Sequence, residues 1–142
     1  MGFSHVAAFA IIGVSTLMAI EILTGSILPM INDIDDSYND MKDRLVDQIQ
    51  TDINITGVSI SGSGPNYDHN ITVENIGSVT LNTSDFTVLI DGTTQQFTCS
   101  SSCLYPEQNV YFNVTDVAGT GTKRLKVITE NGVSDYYTYT VS

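Results

Sequence analysis

The chain has 142 residues, enough for one compact domain and a further segment. Its net charge is −11 with five Lys and Arg, which excludes a nucleic-acid partner, because neutralising phosphate requires clustered cations. Two cysteines and two histidines, His5 and His69, are too few and too scattered for a metal centre or a catalytic triad.

The stretch Phe3 to Ile20 reads FSHVAAFAIIGVSTLMAI and carries no Asp, Glu, Lys or Arg. A helix of about 18 residues spans about 27 Å, close to one hydrocarbon core, so this stretch predicts a transmembrane helix. No Lys or Arg precedes it and it exceeds a typical signal-peptide core, which argues against a cleaved secretory signal. Glu21 follows and has two readings. It is an intramembrane carboxylate paired inside a helix bundle, or it marks the exit into headgroup water.

Apolar residues then recur at Ile27, Met30, Ile31, Ile34, Tyr38, Met41, Leu45, Ile49 and Ile53. Steps of three and four predict that the helix continues as a stalk, with Pro29 as a candidate kink. The stripe suits either the chain's own C-terminal domain or a helical partner. The run NDIDDSYND lacks the Gly and closing Glu of a calcium loop and reads as a solvated acidic face. Residues 1–53 therefore form the helical region.

Near Asn54 the period changes to two. Strands are predicted at Val58–Ser61, Asn70–Ile76, Phe86–Asp91, Gln95–Cys99, Asn109–Thr115, Lys123–Glu130 and Ser134–Val141. Asp91-Gly92 and Asn131-Gly132 are hairpin signals. Seven short strands at this spacing predict an immunoglobulin-like sandwich over 54–142, and an α+β architecture for the whole chain. Alternation assigns Val110, Phe112 and Val114 to one face, as it does Ile71 with Val73, Phe86 with Val88 and Ile90, and Leu125 with Val127. The last strand has tyrosine on both sides. Tyr136, Tyr137 and Tyr139 are a candidate binding edge, or ordinary strand packing. Lys123, Arg124 and Lys126 read as a solvated strand edge.

Cys99 and Cys103, spaced C-S-S-S-C, are expected to form a small local disulfide, which implies an oxidising compartment. Four N-glycosylation sequons begin at Asn54, Asn70, Asn82 and Asn113. Alternation turns Asn70 and Asn113 away from the core, as a glycan requires. Together these features put the sandwich outside the cytoplasm, with the N-terminus inside. No phosphate cradle, nucleophile elbow or zinc-protease motif is present, so neither a catalytic role nor a cofactor is expected.

The opening Met1-Gly2-Phe3-Ser4 before the apolar span, the stretches ITVENIGSVTLNTSDFTVLIDG and LYPEQNVYFNV, and KRLKVITENGVSDYY carry a resemblance. It extends over nearly the whole chain and includes the pattern V-x-N-x-G-x-x-x-L. On these residues the chain resembles the archaellum accessory (stator) protein F family, whose sister is protein G, within the archaellin and type IV pilin superfamily. The resemblance implies a single-pass protein of the cell membrane whose sandwich binds the surface-layer protein and holds the archaellum motor static against torque. It also implies protein G as a partner and allows a homodimer. The rival readings are a filament subunit of the same superfamily and a membrane-anchored surface adhesin. A filament subunit is expected to carry a charged leader and a glutamate early in the mature helix. Here a leader would be at most Met1-Gly2, and Glu21 lies too deep.

Overall fold

A computed structural model describes residues 2–142. The chain divides into two compact units, Met1–Asp43 and Arg44–Ser142.

The first unit is helical, and its last helix runs on into the second. Helix α1 covers Gly2–Ile22, a π-helical turn covers Leu23–Ile27, and helix α2 covers Leu28–Gln50. Within α1 the hydroxyls of Ser15 and Thr16 donate to the carbonyls of Ile11 and Ile12, each at 2.8 Å. An apolar environment would therefore meet these two hydroxyls already satisfied. The π-helical turn has a local cause. Pro29 lacks an N–H, and its ring conflicts with the carbonyl four residues back, at Gly25. The backbone widens there: the Leu28 N–H bonds the Leu23 carbonyl, five residues back. The expected effect of Pro29 thus takes the form of a wide turn just before it.

On α2, the apolar positions Ile34, Tyr38, Met41, Leu45 and Ile49 are all exposed. Leu45 and Ile49 lie in the same unit as the sandwich, yet are 49% and 82% exposed. At this end the stripe does not pack on the chain's own sandwich. Ile53 corrects the helical pattern. It is the first residue of a strand and is buried in the sandwich core, because the helix stops at Gln50.

The second unit carries strands β1 (Ile53–Ser61), β2 (Asn66–Asn75), β3 (Leu81–Asn82), β4 (Thr87–Ile90) and β5 (Thr93–Gln95). They are followed by β6 (Thr98–Cys99), β7 (Cys103–Leu104), β8 (Asn109–Ala118), β9 (Gly121–Ile128) and β10 (Ser134–Val141). Sheet one has the order β1-β2-β8-β6, sheet two β10-β9-β4-β5, and β3 pairs with β7. All these pairings are antiparallel. Ile71, Val73, Val110, Phe112 and Val114 of sheet one share one core with Val88, Ile90, Leu125, Val127 and Val141 of sheet two. The predicted inward faces of β2, β4, β8 and β9 are the observed ones, and β10, for which the sequence left the face open, turns Tyr139 and Val141 inward.

Three differences from the predicted strands have physical causes. First, β1 begins at Ile53, five residues before the expected Val58. A bulge between Ile55 and Gly57 flips the alternation, so Ile53 and Ile55 face in before it and Val58 and Ile60 after it. Second, the expected strand Gln95–Cys99 splits between the two sheets. Gln96 and Phe97 carry the chain across, and the Phe97 ring meets Phe112 edge-on at 4.9 Å. Third, β3 and β7 are two residues each, too short for any periodicity.

The two hairpin signals act differently. Asp91 and Gly92 both have positive φ, 51° and 82°, and close the tight β4–β5 turn between paired Ile90 and Thr93. Asn131-Gly132 lies inside a longer loop, closed by the Thr129 N–H donating to the Val133 carbonyl at 2.8 Å.

Candidate functional site

The chemistry of this molecule is distributed over its surfaces. Among the described residues no group of three His, Cys, Asp or Glu is placed to hold a metal ion. A groove of about 480 Å³ opens between the β5 and β6 edges, lined by neutral side chains such as Thr87, Thr94, Gln96, Phe97 and Ser102.

Asn54, Asn70 and Asn113 all point outward from sheet one and are exposed. Asn70 and Asn113 are direct cross-strand partners. The side-chain amides of these three make no hydrogen bond among the described residues, and the Asn70 carbonyl accepts from the Ser59 hydroxyl. Asn82 differs. Its side chain accepts from the Ser84 N–H and donates to Asp85 at 2.8 Å, capping the 3-10 turn Thr83–Asp85.

Cys99 and Cys103 are separate thiols, in place of the expected bridge. Cys99 sits opposite Phe112 in sheet one, whereas Cys103 sits opposite Asn82 in the β3–β7 ribbon. The Cys99 thiol donates to the Ser101 carbonyl at 3.0 Å, so the intervening serine turn satisfies it locally. Glu21 lies in the last turn of α1, just before the wide turn, where Thr24 donates to the Ile20 carbonyl at 2.9 Å.

The three tyrosines of β10 divide by face. Tyr139 is buried, Tyr137 half-buried and Tyr136 57% exposed. The strand is an edge of sheet two. The neighbouring edge, β1, is tied to it through Asp135, whose carboxylate accepts the Ile55 N–H at 2.8 Å. The Lys126 ammonium lies 5.0 Å from the centre of the Tyr136 ring. That cation holds the Tyr136 hydroxyl below its ordinary pKa. Lys123 pairs with Asp91 at 3.3 Å. Asp91 also accepts the Arg124 N–H at 2.9 Å, and this bond, with Lys123 beside it, holds its carboxyl below the usual range.

Two arrangements were invisible to pattern reading. The first is an inter-sheet bond in the core: Tyr139 of β10 and Nδ1 of His69 on β2 share a hydrogen bond of 2.7 Å. His69 is fully buried, and its Nε2 has no partner among the described residues. Burial lowers the His69 pKa, with Lys123 nearby adding to the effect and Asp68 opposing it. Burial likewise pushes Tyr139 up to about 12.

The second is the joint between the last helical turn and the sandwich. The Ser78 N–H donates to the Gln50 carbonyl at 2.9 Å, and the Ile76 and Gly77 N–H groups both donate to the Asp52 carbonyl at 3.0 Å. Carbonyls at a helix end that would otherwise lack partners are thus satisfied by the β2–β3 turn. A methyl on Gly77 would run into Gln50 O and Asp52 N, so only glycine fits. Buried Asn75 holds that turn, donating to the carbonyls of Val79 at 2.8 Å and Leu104 at 3.0 Å while accepting from Gly77. Asn131 reaches Thr51 Oγ1 at 2.7 Å from the opposite side. The pattern V-x-N-x-G-x-x-x-L, here Val73, Asn75, Gly77 and Leu81, is therefore a structural joint.

The archaeal-type flagellin family matches residues 2–139, helix and sandwich together. The chain belongs to the archaeal-type flagellin family. It is an archaellum-associated protein, as its resemblance to that superfamily implied. No curated protein matches it. Among solved structures it is similar to the archaellum periplasmic stator protein FlaG from Sulfolobus acidocaldarius, with a TM-score of 0.52 at 16% identity, over 63% of this chain and 99% of that one. It is also similar to the FlaF and FlaG stator complex from the same organism, with a TM-score of 0.49 at 16% identity, over 61% of this chain and 87% of that one. The FlaG likeness shows a shared fold.

Proposed function

We propose that this archaeal-type flagellin is a stator component of the archaellum machinery, anchored in the cell membrane by α1 and engaging the surface layer through its sandwich. The observation that carries the reading is the combination of a family match across helix and sandwich with a sandwich fold shared with a periplasmic stator protein. An anchor must pass force from a membrane helix to an extracellular module. The joint at Gln50, Asp52 and Gly77 supports this, since the helix end is hydrogen-bonded into the sandwich instead of leading into a free linker. The helix is long and apolar enough to cross a membrane. The outward Asn54, Asn70 and Asn113 suit glycans in an extracytoplasmic orientation. A stator protein of the G type, a homodimer and the surface-layer protein are the proposed partners, and the role is non-enzymatic.

The second reading is a filament subunit, and family membership itself favours it. Against it stand Ser4, His5 and Glu21, polar residues on a helix that a filament would pack densely. The experiment is mass spectrometry of sheared surface filaments beside washed membranes. Retention with the membranes is expected. Dominance in the sheared filaments would establish the filament subunit instead.

A further inference from the structure

On the outer face of sheet two, Leu89, Lys126 and Tyr136 form one row across β4, β9 and β10. Arg124 stands one row away, opposite Thr138, and Ile128 one row the other way, between Thr87 and Ser134. A shallow depression here is lined by Leu89, Asp91, Gly92, Arg124, Lys126 and Tyr136, and its one carboxylate, Asp91, is paired with Lys123. Five Lys and Arg serve a chain of net charge −11, and three of them are Lys123, Arg124 and Lys126. Lys123 is taken up by Asp91 in the only ion pair among the described residues. Among the described residues Arg124 and Lys126 have no carboxylate partner, and the Tyr136 ring underlies the Lys126 ammonium.

We infer that this face docks a carboxylate-bearing surface of a partner protein. An arginine fork binds carboxylate in two parallel hydrogen bonds, and an ammonium held over a ring is positioned in advance. Tyr136, Leu89 and Ile128 add the aromatic and aliphatic surface found at the centre of protein interfaces. The rest of the chain is acidic and repels carboxylates, so electrostatics fixes which way the partner approaches. Two free cations are too few for a polyphosphate chain or an anionic lipid surface, which calls for larger clusters. The outer face of sheet one carries Asn54, Asn70 and Asn113 and no Lys or Arg, so glycans there would leave sheet two clear. Only the location of the partner, outside the membrane, rests on the anchor reading.

Carbodiimide joins a lysine amine to a carboxylate that touches it, with no spacer. Applied to intact cell envelopes holding the full chain, it should yield the β9 peptide joined through Lys126 to an Asp or Glu of another protein. In uncharged detergent, the full chain with Arg124→Glu and Lys126→Glu should bind detergent-washed envelope sheets on the order of tenfold more weakly. Lys42→Glu serves as the control that binds as wild type, and matching melting temperatures show that the fold survives. A Lys126 left unjoined, or joined only within its own chain, overturns the inference, as does a reversal variant that binds the sheets as tightly as a wild-type chain that itself binds them. A Lys126 joint to the surface-layer protein supports docking face and anchor together. A joint to some other protein, with no binding to the sheets, keeps the docking face and removes the anchor reading.

Discussion

At the residue scale, the buried His69–Tyr139 pair makes stability depend on pH. The folded state holds His69 neutral, with its pKa below the ordinary 6.5. The unfolded chain therefore takes up the proton first as pH falls below that value, and stability drops through the window between the unfolded and the lower folded pKa. Tyr139 acts in the opposite direction: its stabilising effect is complete below pH 10 and is lost as pH rises towards about 12. Urea unfolding should therefore find these two groups silent between about pH 6.5 and 10, with a loss below that approaching ~1.4 kcal/mol per pH unit. A Tyr139→Phe variant leaves His69 Nδ1 unpartnered in the core. It should lose about 1–3 kcal/mol at neutral pH, measured by the same unfolding curves. Undiminished stability in that variant would mean the inter-sheet bond contributes nothing.

At the element scale, the joint and the outer face of sheet one each make a sharp demand. Gly77→Ala forces a methyl against the backbone of Gln50 and Asp52 and must push the last helical turn off the sandwich. Amide exchange at Ile76, Gly77 and Ser78 should accelerate in that variant, while the sheet amides of β8 and β9 stay protected. Asn70 and Asn113 face each other across β2 and β8, their Cβ atoms about 5 Å apart. Intact glycopeptides should therefore carry a glycan on one of the two and not on both, and Asn82, tied up by Ser84 and Asp85, should be bare. Cys99→Ser removes a half-buried thiol whose partner is a neighbouring carbonyl, and circular dichroism should show an unchanged fold.

At the scale of the whole molecule, the helix end belongs with the sandwich. Asn54 is where the sequence period changes, and a fragment starting there loses Ile53 from the core and the hydrogen bonds at Thr51 and Asp52. A fragment Arg44–Ser142 should melt well above Asn54–Ser142, since burying one Ile alone contributes about 1.5–3 kcal/mol. Equal melting temperatures would show that the joint is ornamental to folding and would weaken the case for force passing through it.

The apolar run from Phe3 to Ile20, the α2 stripe and the inward faces of β2, β4, β8 and β9 followed from the sequence alone, whereas β10, with tyrosine on both sides, left its inward face open. In the strands burial enforces a period of two, which is written residue by residue, and the helix shows in the sequence as an uncharged apolar run followed by apolar steps of three and four. The superfamily was legible for the same reason, together with the spacing of Val73, Asn75, Gly77 and Leu81. What only the tertiary structure decided depends on residues distant in sequence. The bulge at Ile55–Gly57 hid the start of β1, and the crossing at Phe97 split one apparent strand between two sheets. His69 with Tyr139 exists only because the two sheets close over one core, and Asp52 with Gly77 and the row Leu89–Lys126–Tyr136 exist only because particular strands pair within a sheet. A single chain's local pattern carries no record of which strands will become neighbours.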